Sequence, residues 1–432
     1  MSTTTIDHQT LVNGILRRDF ALEVATITPL GYGRSNIVFL VDLLKPTKSI
    51  RSLVRYRGYP KPGTVPIPKD TVKLIFRFFR PFDTYNEAVR AENKVAAMSV
   101  ARSALSYSHL PLLVPQVYGW DSGQNEPSTL GWVLEEYIQG RNLAADFPNF
   151  PISKQRVILA QMADVTKAFQ IYHLPDTVTG FGGLTFDYER KMRTGPPSFQ
   201  CIGGPFDSIA SFYQGLINWY LEASERYEII NGWRDSDLTD RIDQFIMNGA
   251  SALLASLPTD RPTFIQGGLE PLKTLYNPET LQITAILDYG LSHVGIPAME
   301  FLYSFAGFSG SLTAPFDRET ERLRHAMLHG FPEIPPISQH MRLGPDMFGS
   351  GHSIQWGLAK AWEIELERVG AVRPRNTEGA DLLSQVHWFI QDLAPWHLYD
   401  PDILRIRTKE QLFEARQETK KTLGKYLETW GY

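Results

Sequence analysis

Apolar and polar residues alternate with period two through ATITPLGYGRSNIVFLVDLL, residues 25–44. In a strand this period sends alternate side chains to opposite faces, and Gly31 and Gly33 in its middle predict a hairpin around a permissive turn. VKLIFRFFRP (72–81) predicts a buried strand ending in a basic, aromatic turn, and LLVPQVYGW (112–120) and GWVLEEYIQG (131–140) predict two more. Between them, YNEAVRAENKVAAMSVARSAL (85–105) repeats its apolar positions every three or four residues, the spacing of a helix. Residues 45–70, rich in proline, glycine and basic side chains, read as a long connection.

From residue 151 onwards the helical period dominates, in 152–174, 206–230 and 238–257, with Gly- and Pro-rich loops between. The exception is KTLY, YNPET and QITAILD (273–288), two short strands about a turn. EQLFEARQETKKTLGKYLETWGY (410–432) predicts a final, solvated helix. The order predicts an α+β fold of two lobes: a small antiparallel-sheet lobe over 22–136 and a large, mainly helical lobe over 137–432.

Composition narrows the partners. The 432 residues are 43% hydrophobic and 21% charged with a formal net charge of -4, which gives no reason to expect nucleic acid or an anionic membrane. A small-molecule ligand is the expectation. The N-terminus has no apolar run with a small-residue cleavage site, and no segment reaches the ~18 apolar residues of a membrane span. A single cysteine, Cys201, leaves no internal disulfide, so the expected compartment is a reducing one, the cytoplasm.

The residues that carry chemistry lie in FIQGGLEPLKTLYNPETLQITAILDYG, 264–290. From Thr263 to Phe305, TFIQGGLEPLKTLY, ITAILDYGLSHVGIPAMEF and their separation resemble the HGDxxxxN loop and the later metal-binding aspartate of the aminoglycoside phosphotransferase and choline kinase-like group, built on the protein-kinase-like fold. The resemblance extends over nearly the whole chain: PLGYGRSNIVFLV resembles the nucleotide-loop strands, KLIFRFFRP the strand with the phosphate-pairing base, and GWVLEEYIQG the hinge. FGGL, GGPF and GWR further resemble a filamentous-fungal branch whose members often lie beside secondary-metabolism genes. The resemblance implies a bilobal fold, nucleotide contacts at Gly31, Gly33, Arg77, Glu135 and Tyr137, and a metal at Asp288.

The chain departs from that pattern where chemistry is most demanding. Gln266 stands for the loop histidine, Gly268 for the aspartate that faces the acceptor hydroxyl, and Lys273 for the asparagine that holds magnesium. Loss of the aspartate removes roughly 10²- to 10⁴-fold of acid–base catalysis. A lysine ammonium about 4 Å from a divalent ion is repelled by roughly twice the ~4 kcal/mol of a unit pair at an effective dielectric of 20. Asp288 is retained, as a ligand for one metal or as the partner of Lys273. Glu270 offers another carboxylate from the same loop, as a base, a surface residue or a partner of Lys273. On the helix at 85–105, Lys94 aligns with the expected glutamate partner of Arg77, and Glu92 points to another face.

His293, His352, His387 and His397 form no zinc pattern, and the tail aromatics Trp356, Trp388 and Trp396 read as core or as the wall of a pocket for a flat ligand. Three functions fit: a small-molecule protein that has lost ordinary ATP-dependent phosphorylation and acts as a non-redox cyclase or isomerase; a hydroxyl kinase that uses ATP and magnesium with rearranged residues; or a pseudokinase that binds a metabolite or a partner protein.

Overall fold

The computed structural model describes residues 7–32, 35–56, 58–82, 84–123, 130–234, 236–317, 320–333 and 354–432. Gly33 and His352 lie outside the described residues.

The alternation over 25–44 becomes an antiparallel pair, β1 (Val24–Tyr32) and β2 (Asn36–Leu43), preceded by a helix, α1 (His8–Phe20). α1 starts where Asp7 accepts the Gln9 N–H and stops where Ala21 turns left-handed. β3 (Lys73–Phe79), β4 (Val117–Asp121) and β5 (Trp132–Glu136) complete a five-stranded antiparallel sheet in the order β1-β2-β3-β5-β4. Its outer face sends Phe39, Leu74, Phe76, Phe78, Trp132 and Leu134 into a core that α1 closes with Val12, Leu16 and Phe20. The opposite face presents Arg77 and Glu135.

Helix α2 (Glu87–Tyr107) lies under this sheet, and its Ala91, Val95 and Ala101 belong to the larger core. α2 is also tied to the helical lobe: Glu92 accepts hydrogen bonds from Thr185 Oγ1 at 2.6 Å and Phe186 N at 2.8 Å, and Asn93 donates to Leu184 O at 2.8 Å. These three residues sit in β6 (Gly183–Phe186), which pairs with β7 (Met192–Gly195).

The large lobe is built on α3 (Ile152–Ile171), α4 (Ile209–Arg226), α5 (Leu238–Asn248), α6 (Ala250–Ala255), α7 (Trp356–Arg368), α8 (Ala380–Leu393) and α9 (Lys409–Trp430). The single helix expected over 238–257 is divided between α5 and α6 at Gly249, where a Cβ would meet Tyr432 Oη at 2.4 Å. α9 is not solvated all round, contrary to the sequence pattern. It opens on a capping box of Thr408 and Gln411 and buries Thr419, Leu423, Tyr426 and Leu427. The tail aromatics are mostly interior: Trp356 is buried, and half-buried Trp388 donates from Nε1 to Leu312 O at 2.9 Å. Among the described residues no helix is long and apolar enough to cross a membrane.

His293 and His387 are buried on either side of Tyr303, with ring centroids 5.1 and 5.0 Å from it. Burial disfavours the imidazolium and brings their pKa values down to about 4 and about 3, from 6.5. The unfolded chain therefore binds more protons between these values, so their contribution is complete above about pH 6.5 and declines as pH falls. Each histidine should give a slope of about 1.4 kcal/mol per pH unit in that window. Urea unfolding at several pH values between 7.5 and 5 checks this, and His387→Phe should flatten the dependence; an unchanged slope in that variant contradicts it.

Candidate functional site

Four short strands frame the loop: β8 (Thr263–Ile265), β9 (Thr274–Tyr276), β10 (Ile283–Ile286) and β11 (His293–Gly295). β8 pairs with β11, and β9 with β10, so the segment after β8 and the segment after β10 come together. Gln266 occupies the histidine position and is fully buried. Its Nε2 donates to Asp288 O at 2.8 Å, so the side chain ties the two segments directly. Gly267 has φ +74°, and a Cβ there would meet Leu291 O at 2.7 Å, so both the conformation and the space require glycine.

The main anchor of this loop is a residue the sequence pattern did not single out. Glu300 is buried; its carboxylate accepts the Gln266 N–H at 2.7 Å, the Gly267 N–H at 2.9 Å and the Ser304 hydroxyl. Ser304 Oγ in turn accepts the Leu269 N–H at 2.9 Å. The available signal was a lone acid inside the apolar run PAMEFLYSF, since a buried carboxylate needs partners.

Gly268 and Lys273 form one spatial unit. A Cβ at Gly268 would lie 2.3 Å from Lys273 Nζ. The lysine end thus occupies the volume into which an aspartate at 268 would begin to project. Lys273 is carried there by the short turn Pro271–Lys273, and its Nζ lies 3.6 Å from Asp288 Oδ2. Asp288 has left-handed backbone (φ +63°), a conformation Asp tolerates better than most residues, and Gly290 N donates to its Oδ1 at 3.3 Å.

Solvent still reaches 36% of the Asp288 side chain, although protein crowds it on its other sides. That crowding alone raises its pKa. The nearby cations, Lys273 first and then Lys94 and Arg77, outweigh it and hold the carboxyl well below the usual carboxylate range. Asp288 is therefore an ionised, weakly basic group.

Glu270 is engaged by the backbone and does not ion-pair with Lys273. Its two oxygens accept the N–H groups of Ala306 and Gly307, each at 2.7 Å. Burial pushes its pKa up while those two bonds lower it. The loop turns this side chain to the start of the next helical turn, where each oxygen accepts one backbone N–H.

On the sheet side lies Glu135. It is buried, and its Oε1 lies 2.9 Å from Lys94 Nζ and 3.5 Å from Arg77 Nε. The register sets Glu135 opposite Ile75, which puts it beside Arg77 on the same face. Its carboxylate is thus turned to two protein cations. Tyr137, just beyond β5, is exposed with Lys73 Nζ 5.7 Å from its ring centre, and Gly31 is exposed on β1 with open space around it.

A magnesium ion does not fit the residues present. Asp288 would have to share it with an ammonium 3.6 Å away, and neither Gly268 nor Lys273 supplies an oxygen from its side chain. Among the described residues no group of three or more His, Cys, Asp or Glu is placed to hold a metal. Two surface hollows, of about 510 Å³ at Arg102, Tyr107, Leu112 and Tyr172 and about 220 Å³ at Glu225, Trp233 and Ile242, include no residue of this loop.

A two-lobed α+β fold with this loop at the junction defines the class. The family model described as the phosphotransferase enzyme family matches residues 65–334, and the chain belongs to that family. No curated protein matches it in sequence. Similar solved structures include a thermostable mutant of aminoglycoside phosphotransferase APH(4)-Ia in a ternary complex with AMP-PNP and hygromycin B, at 13% identity over 98% of this chain and 99% of that one, TM-score 0.47. APH(2")-IIa with streptomycin and ATP is similar at 11% identity over 98% and 99%, TM-score 0.45. A candidate aminoglycoside phosphotransferase from Ralstonia eutropha is similar at 15% identity over 98% of each chain, TM-score 0.47.

Proposed function

We propose that this member of the phosphotransferase family holds a small molecule between its lobes and does not perform magnesium-dependent phosphorylation with ATP. Its chemistry is a non-redox cyclisation or isomerisation, with intermediates of secondary metabolism as the substrate class to screen. The observation that carries this reading is the position of Lys273 Nζ, 2.3 Å from where a Cβ on residue 268 would stand and 3.6 Å from Asp288. Phosphoryl transfer in this fold needs an acid facing the acceptor and two oxygen ligands for metal. Here one acid remains, already paired with a cation.

The same geometry favours a particular division of labour. Asp288, held ionised, is a poor proton acceptor near neutral pH. Lys273 is 22% exposed and presents an N–H donor, suited to stabilising negative charge that develops on a ligand oxygen. Gly268 leaves the space that this donor needs.

Thermal unfolding with ATP, magnesium and both together tests the reading. The expected result is no shift in Tm from any of the three, alongside conversion of a pathway intermediate with ATP and magnesium omitted. A magnesium-dependent ATP shift that disappears in Asp288→Ala would establish the hydroxyl-kinase alternative instead. Binding of an intermediate without conversion would support the pseudokinase alternative.

A further inference from the structure

The FGGL (181–184) and GGPF (203–206) motifs lie outside the loop at 264–290, and the structure brings them together. Phe181 and Phe206 exchange backbone hydrogen bonds at 2.8 and 2.9 Å, and Gly182 exchanges two more with Val294 of β11, at 3.1 and 2.7 Å. A Cβ on Gly180, Gly182 or Gly183 would run into a backbone oxygen, that of Phe206, Gly195 and Pro196 in turn. Glycine is therefore what lets both ends of the segment 195–206 lie directly on residues 180–183.

With its ends fixed on the large lobe, this segment reaches across to the small one. Ser198 O accepts the N–H of Asn86, the residue before α2, at 2.8 Å, and Phe199 is bridged to Tyr85. The Arg90 guanidinium carbon lies 4.0 Å from the Tyr85 ring centre, and its nitrogens donate to Arg80 O at 2.9 Å and Ser35 O at 2.7 Å, where the end of β3 meets the start of β2. On its other side the same segment holds the turn that carries Asp288. Ser198 Oγ donates to Gly290 O at 3.3 Å, and the Phe199 ring lies 5.3 Å from that of His293. The Gly290 N–H in turn donates to Asp288 Oδ1 at 3.3 Å. Ser198 and Phe199 are buried, so water competes little for these ties.

We infer that 195–206 is a strap that couples the small lobe to the Asp288 turn, so that the placement of the Asp288 carboxylate is set from the start of α2 as well as by its own loop. Each link from Ser35 through Arg90, Tyr85 with Asn86, Ser198 and Gly290 to Asp288 is a direct contact between named groups. A shift of the small sheet strains the turn, and by linkage a ligand held at Asp288 steadies the start of α2. The coupling holds whichever chemistry the cleft performs.

Hydrogen exchange read by mass spectrometry on the full chain tests the strap, with two variants that each cut one link. Asn86→Pro removes the N–H that Ser198 O accepts, at a φ of -80° that proline adopts. Ser198→Ala removes the hydroxyl on Gly290 and leaves the backbone tie in place. Ser198→Ala should speed exchange over 287–292 by roughly fivefold, the worth of about one hydrogen bond, and Asn86→Pro should do the same from the small lobe. Exchange over α9 should stay at the wild-type rate in both, with circular dichroism and Tm as folding controls. The inference is overturned if Asn86→Pro speeds exchange only around residue 86, or if Ser198→Ala leaves 287–292 unchanged. The serine variant decides alone if the proline variant fails to fold.

Discussion

Lys273→Met should lower turnover of the ligand by about 10²- to 10³-fold, the usual effect of removing a preorganised donor from a developing oxyanion. Methionine keeps most of the length and volume of lysine, so the space above Gly268 stays filled and the loop keeps its shape. What disappears is the ammonium 3.6 Å from Asp288. The surroundings of Asp288 then lose their strongest stabilising cation, and its pKa moves up toward the ordinary range, because Lys273 is the largest of the cations that hold it down. Stability should change little, since the pair is partly open to solvent and such pairs contribute about 0–1 kcal/mol. The measurement is kcat/KM of the purified variant on the substrate found without ATP, with Tm as the control. Full activity in Lys273→Met would remove the lysine from the mechanism.

The second large effect concerns stability. Glu300→Ala should cost about 3–5 kcal/mol, because it leaves the N–H groups of Gln266 and Gly267 and the Ser304 hydroxyl without their acceptor in a buried place. That is a Tm lower by about 10 °C in a lobe of this size. Glu300→Gln keeps the shape and one carbonyl oxygen, and should lose roughly half as much. Both variants should also weaken ligand binding, since Gln266 Nε2 holds the backbone of Asp288 and shifts with the loop. Calorimetry with a ligand titration reads both effects. A Glu300→Ala protein that melts with wild type would mean that other contacts hold the loop.

The elements themselves were legible because periodicity is a local property. Alternation in NIVFLVDL and three- and four-residue spacing in 85–105 depend only on which face of a strand or helix is buried. The exception among helices is instructive. Residues 410–432 read as solvated because charge is abundant there, yet a narrow stripe of Leu423, Tyr426 and Leu427 is enough to dock the helix. Family membership was equally legible, since it rests on spacing along the chain.

By itself the sequence determined the two-lobed α+β order, the loop at 264–290, and the departure of Gly268 and Lys273 from the residues that magnesium chemistry needs. Only the tertiary structure decided where each charge goes. It gave Glu135 to Lys94 and Arg77, turned Glu270 to the backbone of 306 and 307, made Glu300 the anchor of the loop, and put the Lys273 ammonium into the room above Gly268. The reason is physical. Identity and period are read along the chain, whereas the partner of a charge depends on distances of a few ångströms between segments far apart in sequence, and only folding sets those.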